Sequence, residues 1–143
     1  MSESAADCAS KPIFQETLIG NEADLVAVRY EVRKAAKEVG LGLVDETKLV
    51  TAVSELSRNC LVYGGGGVAQ MEIVHTHDRV GVRVTLVDQG PGIADLKRAM
   101  ENGYSTGKGL GLGLPGSRRL AHEFEIDSIV GLGTRVSIIR WKT

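Results

Sequence analysis

Aromatic residues are scarce in this chain. They make up 4% of its 143 residues, so any core it forms must be aliphatic. Two cysteines, Cys8 and Cys60, are too few for a disulfide framework and suit a reducing compartment. An excess of either charge is also missing. Lysine plus arginine number 17 against 18 acidic residues, a net charge of −1. That balance excludes a polybasic nucleic-acid or membrane-surface protein as the default reading. No apolar run approaches the roughly 18 residues a membrane span requires. Met1 to Ser10 is small and polar, without the apolar segment of a secretory signal. The expectation is a cytoplasmic protein with neither nucleic acid nor membrane as partner. Hydrophobic residues at 43% and charged residues at 24% describe one ordinary globular domain. We assign it to residues 12–143, after a disordered tail over residues 1–11.

Glycine is the residue in excess. There are 18, and Gly103, Gly107, Gly109, Gly111, Gly113 and Gly116 fall within fourteen positions. Clustered glycine marks backbone that approaches something closely.

Ile13 to Ile19 reads as a first strand. Asn21 then caps a helix whose apolar stripe is Leu25, Val28, Val32, Ala35, Ala36 and Val39, stopped by Gly40 and Gly42. Asp45 is the expected cap of a second helix, with Val44 and Leu49 spaced as a hydrophobic staple. On that helix Leu49, Ala52, Val53, Leu56 and Cys60 share the buried face. Glu55 and Asn59 stack one turn apart at its edge, and Arg58 faces solvent. Tyr63 and Gly64 to Gly67 are expected to end it in a mobile loop.

Alternation predicts strands over Val68 to Thr76 and Val80 to Val87, joined by a hairpin of His77, Asp78, Arg79 and Gly81. Asp88-Gln89-Gly90-Pro91-Gly92 is a turn. Asp95 to Asn102 reads as a short helix, Gly103 to Gly113 as a glycine-rich loop, and Leu114 to Glu123 as a third main helix. A last hairpin, Phe124 to Val130 and Thr134 to Trp141, turns at Gly131-Leu132-Gly133. This order favours an α/β two-layer sandwich: a mixed, largely antiparallel sheet with helices on one face.

Taken singly, the chemical signals are modest. Asp88 at a strand end can accept hydrogen bonds from a ligand amine, although Asp-Gln-Gly-Pro-Gly alone reads as a simple turn. Gly107 to Gly113 running into a helix offers free backbone N–H groups and a cation, Lys108, to an anion. It is neither a P-loop nor a Rossmann fingerprint, because both spacings are absent. His75 and His77 share a strand face but have no third ligand, so an exposed strand face is the better reading. His122, Arg118 and Arg119 read as a solvated helix face, Cys60 as core and Cys8 as tail.

In order, however, the signals form a pattern. E-L-x-x-N on a helix precedes D-x-G-x-G after a strand, then G-x-G-L-G-L opening a helix, then G-x-G-T in a late hairpin. This resembles the ATPase superfamily of gyrase, Hsp90, histidine kinases and MutL, over about Ile13 to Trp141. Ser54 to Asn59, Val87 to Ile93 and Gly111 to Leu120 look like the bacterial anti-sigma-type serine/threonine switch kinases. The resemblance implies that superfamily's nucleotide-binding fold, with ATP and Mg²⁺ as cofactors. It implies that Asp88 accepts from the adenine amine, with Gly90 and Gly92 making room for the base. Asn59 would ligate Mg²⁺. Gly107, Lys108, Gly109, Leu110, Gly111, Leu112 and Gly113 would wrap the triphosphate, and Thr134 would support the adenine pocket. Glu55 would be the general base toward a protein hydroxyl.

The implied function is phosphorylation of a STAS-domain antagonist or scaffold in stress signalling, with a PP2C-type phosphatase as a further partner. Two alternatives stay open: an ATP-dependent module that sequesters a sigma factor, and a detached histidine-kinase catalytic domain. The sequence shows no helical hairpin bearing a phospho-accepting histidine, which disfavours a complete histidine kinase. Glu55 argues against pure binding, which would need Asp88 more than a base.

Overall fold

The computed structural model describes residues 13–101 and 113–143. The expected tail lies outside the described residues, as does most of the expected glycine-rich loop.

Strand β1 (Ile13–Ile19) leads to helices α1 (Glu22–Val39) and α2 (Leu43–Val62). A hairpin of β2 (Gly67–His75) and β3 (Val80–Asp88) follows. Then come a single-turn helix α3 (Leu96–Ala99), helix α4 (Gly113–Leu120) and the hairpin β4 (Glu123–Ile129) and β5 (Gly133–Trp141). The five strands form one sheet in the order β1-β2-β3-β5-β4, and every neighbouring pair is antiparallel. The expected two-layer sandwich is the one observed, with no parallel pair in the sheet.

Local chemistry explains the elements. Asn21 Oδ1 accepts from Asp24 N at 3.1 Å and Asp24 Oδ2 accepts from Asn21 N at 3.2 Å, a reciprocal cap that starts α1. All six residues of the expected α1 stripe are buried. They meet Leu49, Ala52, Val53, Leu56 and Cys60 of α2 and the inward residues Ala69, Met71, Val82, Val84, Leu86, Val136 and Ile138 of the sheet. Among the described residues no helix is long and apolar enough to cross a membrane.

Several expected boundaries are corrected. Helix α2 starts at Leu43 with Gly42 as its cap, so Asp45 lies inside the first turn. Val44 is exposed while Leu49 is buried, so the staple is not made. Gly81 is not part of the turn; it sits within β3, paired with Trp141. The run Gly64–Gly67 is not a loose loop: Gly66 N donates to Cys60 O at 2.9 Å and Gly67 opens β2. Helix α3 is shorter than expected. Helix α4 ends at Leu120, and His122 is past it, accepting the Trp141 N–H on Nδ1 at 2.8 Å. His75 and His77 lie at the far end of the β2–β3 hairpin from Asp88.

Asp45 is buried because Arg140 is. Arg140 Nε and Nη2 donate to Asp45 Oδ1 at 3.0 and 2.8 Å, and Nη1 donates to Leu120 O at 2.8 Å. Thr143 Oγ1 donates to Asp45 Oδ2 at 2.9 Å. One ion pair thus ties the start of α2, the end of α4 and the end of β5. The Arg140 hydrogen bond holds the Asp45 carboxyl below its ordinary 3.8; Thr143 and the nearby positive charges add to this, and burial opposes it. A depressed folded value means stability that is present above the unfolded value and lost as pH falls through the folded one. Asp45→Asn should therefore cost about 3–5 kcal/mol at neutral pH, by stranding a buried guanidinium. It should also flatten the acid limb of stability below the ordinary carboxylate range. Urea unfolding across pH checks both, and an unchanged acid limb would remove Asp45 from that limb.

Candidate functional site

The sheet's helix-facing surface ends in a polar row. Gly67 of β2 pairs with Asp88 of β3, Asp88 with Thr134 of β5, and Thr134 with Ser128 of β4. Inward positions along β3 are Val82, Val84 and Leu86, and the next in the alternation is Asp88. The strand that builds the core therefore delivers a carboxylate at its end.

That carboxylate is fixed by backbone. Asp88 Oδ1 accepts from Gly90 N at 2.9 Å and from Thr134 N at 3.2 Å. Oδ2 has no hydrogen-bond partner among the described residues and faces Gly64. A Cβ on Gly64 would lie 2.5 Å from Oδ2 and would overlap Cγ. A Cβ on Gly90 would in turn lie 2.7 Å from Gly64 Cα, so two backbones close on each other beside Asp88. Gly92 has φ +78°, which favours glycine, and its open side faces Ile129 O. The turn is also bonded to the β4–β5 hairpin, Gly131 N to Pro91 O at 2.9 Å and Ile93 N to Ser128 Oγ at 2.7 Å.

Helix α2 supplies the second wall. Glu55 and Asn59 are half-buried at the edge of its core face, as their spacing predicts. Glu55 Oε1 accepts from Gly113 N at 3.4 Å, which places a carboxylate at the first residue of α4. The Asn59 carboxamide has no hydrogen-bond partner among the described residues. Its backbone carbonyl accepts from Tyr63 N and Gly64 N, carrying the helix end to the glycine beside Asp88. Cys60, next to Asn59, is buried. Burial first, and the Asp88 charge second, push its thiol up to about 11, so it is not a nucleophile.

Of the sequence-derived site residues, Asp88, Gly90, Gly92 and Thr134 gather at one end of the sheet, with Glu55, Asn59 and Gly113 at the α2–α4 side. Gly107, Lys108, Gly109, Leu110, Gly111 and Leu112 lie outside the described residues. Sequence reasoning missed Gly64, hidden in what looked like a loose run, and Ser128. The signal for Ser128 was a polar residue following Phe124 and Ile126 on one face of β4.

Residues 44–143 match the family of histidine kinase-, DNA gyrase B-, and HSP90-like ATPases. The chain belongs to this ATPase family. Among its relatives, the serine/threonine-protein kinase RsbT of Bacillus subtilis (strain 168) is 46% identical over 123 residues, covering 86% of this chain and 92% of that one. An anti-sigma F factor of Clostridium beijerinckii is 32% identical over 103 residues, covering 66% of this chain and 71% of that protein. Among solved structures, the RsbU and RsbW domains from Mycobacterium tuberculosis superpose with a TM-score of 0.62 at 21% identity, over 88% of this chain and 31% of that one. The mycobacterial sensor histidine kinase MprB gives 0.52 at 19% identity, over 89% and 96% of the two chains. These two likenesses establish the ATPase fold of the chain.

The close packing of Gly64 on Asp88 sets a test of the site's rigidity. Gly64→Ala should cost about 1–3 kcal/mol, the usual penalty for overpacking. Its urea midpoint should fall accordingly. A midpoint equal to wild type would mean that Asp88 moves aside freely and is not held as described.

Proposed function

We propose that this chain is an ATP- and Mg²⁺-dependent serine/threonine protein kinase of the switch type, phosphorylating a STAS-domain regulatory partner in bacterial stress signalling. A PP2C-type phosphatase is the expected further partner. Family membership supplies the nucleotide. The observation that carries the kinase reading is Glu55, a carboxylate on α2 that reaches the N–H of Gly113 where α4 begins.

In this reading Asp88 selects the base. Its Oδ1 is held by two backbone N–H groups, which leaves Oδ2 to accept from the adenine amine. Gly113 and residues 107–112 are the proposed phosphate-binding residues. Glu55 takes the proton from the acceptor hydroxyl as the phosphoryl group arrives. Asn59, with an unengaged carboxamide oxygen on the same helix, suits a hard divalent cation. Mg²⁺ takes few protein ligands, so an isolated amide oxygen such as that of Asn59 would fit it. When bound, it neutralises phosphate charge, and positioning supplies most of the rest of the catalysis.

Similarity to anti-sigma F factors, at 28–32% identity over 64–66% of the chain, favours sigma-factor sequestration as a second reading.

Asp88→Asn keeps an oxygen on the Gly90 and Thr134 N–H groups but turns the other atom into a donor facing the adenine amine. ATP affinity should fall about tenfold or more, the worth of one charge-assisted hydrogen bond. Calorimetric titration with Mg²⁺ measures it, and unchanged affinity would remove Asp88 from the adenine site.

Glu55→Gln should leave ATP binding intact and slow phosphotransfer by about 10²–10⁴-fold, the range for a general base. With γ-labelled ATP and a STAS-domain protein, the wild type should place acid-stable label on the partner. Acid-labile label, or label on His75, His77 or His122, would overturn the serine/threonine reading. No transfer, with tight ATP-dependent sigma-factor binding instead, would establish the second.

A further inference from the structure

His122 sits between α4 and β4, at the end of the sheet away from the candidate site. On the β3 side of β5, Lys142 N donates to Val80 O at 2.8 Å. Donors alternate sides along an antiparallel strand, so the Trp141 N–H points away from β3, toward β4. Strand β4 begins only at Glu123, opposite Ile139, and its pairing stops short of Trp141. A side chain takes over: His122 Nδ1 accepts the Trp141 N–H at 2.8 Å, while His122 N donates to Ile139 O at 2.9 Å. Trp141 is buried, at 3% exposed, and His122 is exposed. A group open to solvent thus completes a bond inside the sheet. The indole is held separately, with Nε1 donating to Glu123 Oε2 at 2.9 Å and the Arg79 guanidinium 4.1 Å from the ring centroid.

Only one protonation state makes this bond. A neutral imidazole with its proton on Nε2 offers Nδ1 as an acceptor, whereas an imidazolium has a proton on both nitrogens and offers none. A proton taken from solvent at Nδ1 turns that acceptor into a donor facing another donor. The buried Trp141 N–H then loses its partner, the costly half of a broken hydrogen bond. Charged groups face the ring from each element around it: Arg140 of β5, Asp45 of α2, Arg79 of the β2–β3 turn and Glu123 of β4. Partial burial first, and the Arg140 charge second, lower the imidazole below its ordinary 6.5; Arg79 adds to this, and Asp45 and Glu123 oppose it. A lowered folded value means stability that is present above the ordinary value and lost as pH falls through the folded one. The loss sets in below 6.5, well clear of the range below 3.8 in which Asp45 takes up its proton.

We propose that His122 is an acid-operated latch between α4 and β5. Neutral, it closes the last backbone bond on the β4 side of β5. Protonated, it releases that bond and sets a second cation near Arg140, where it competes for Asp45. Arg140 is also the group that grips the end of α4, through Nη1 and Leu120 O. Both effects loosen the same junction. The latch bears on the candidate site through α4, whose first residue meets Glu55. It works with or without a nucleotide, since His122, Trp141, Arg140 and Leu120 all lie outside that site.

The test follows two nuclear magnetic resonance signals in the full chain from about pH 7.5 to about pH 4.5, a range that spans the ordinary imidazole value. The His122 ring shifts give its protonation midpoint and its tautomer. Exchange of the Trp141 amide, corrected for intrinsic pH dependence, gives the protection of the bond. That protection should fall about tenfold or more, in step with protonation of the ring, the loss expected for a buried N–H deprived of its acceptor. The neutral ring should carry its proton on Nε2. His122→Asn puts an oxygen where Nδ1 was and does not titrate, so its Trp141 protection should stay level with pH. His122→Ala should be as labile at neutral pH as the wild type is in acid. His75 and His77 are present in all three proteins, so whatever they contribute cancels. An equal fall in wild type and His122→Asn would overturn the proposal. So would a wild-type Trp141 amide that keeps its protection while the ring protonates, whether or not the alanine variant folds. A ring that protonates above 6.5, or a neutral ring with its proton on Nδ1, would overturn it as well.

Discussion

Everything at the candidate site depends on one carboxylate being held still. Asp88 emerges at the end of a strand whose preceding inward residues are valine and leucine, so a charged group finishes an apolar row. It is tolerated because two backbone N–H groups, from Gly90 and Thr134, converge on one of its oxygens. Those donors come from different parts of the chain. Gly90 belongs to the turn after β3 and Thr134 to the start of β5. The carboxylate therefore fixes the turn and the strand relative to each other as much as they fix it. The glycines around it follow from this constraint: Gly64 and Gly90 let two backbones approach a side chain that has little freedom to move.

The packing beneath the site explains why so few aromatics suffice. Two helices and five antiparallel strands enclose a core of valine, leucine, isoleucine and alanine, with Met71 and Cys60 filling in. Small β-branched residues let α1 and α2 lie close to the sheet. The cost falls at the other end of the layer, where Arg140 enters the buried region from β5 and must be matched. Asp45 matches it, with Leu120 O accepting one more bond from Arg140 and Thr143 donating one more to Asp45. This polar knot clamps the far end of α4, while Glu55 meets the near end at Gly113. Helix α4 is thereby tied to α2 at one terminus and to β5 and α2 at the other.

The sequence was most legible where a single period decided the outcome. The α1 stripe and the buried face of α2 appear as read, because burial against one surface imposes one period, whereas β3 buries Val82, Val84 and Leu86 on the core face and Gly81 and Thr85 on the other. Asn21 and Gly40 were legible because their chemistry is local. The errors share a different cause. Asp45 looked like a helix cap because aspartate so often is one, and its partner Arg140 is 95 positions away. Gly64–Gly67 looked loose because glycine is permissive, yet its contacts are with Asp88, Val87 and Ile19, none of them adjacent in sequence. Ser128 carried no motif at all, and its meaning comes from a cross-strand neighbour and a turn 35 positions earlier. Long-range partners, rather than residue type, separate what could be read from what could not.

One helix connects the two halves of the site. Glu55 and Asn59 lie in the C-terminal half of α2, and Glu55 meets the start of α4. The carbonyl of Asn59 then accepts from Tyr63 N and Gly64 N, and Gly64 abuts Asp88. The distance between the carboxylate at α4 and the carboxylate at the sheet end is thus set by a rigid α-helix, with its end anchored in the core by Leu56 and Cys60. A ligand bridging the two would be measured against that fixed span. Base and phosphates of a nucleotide are likewise separated by a fixed sugar linkage. A helix that carries Glu55 and ends at the glycine beside Asp88 suits such a ligand better than two loops would, because the geometry is set during folding and is not ordered again on binding.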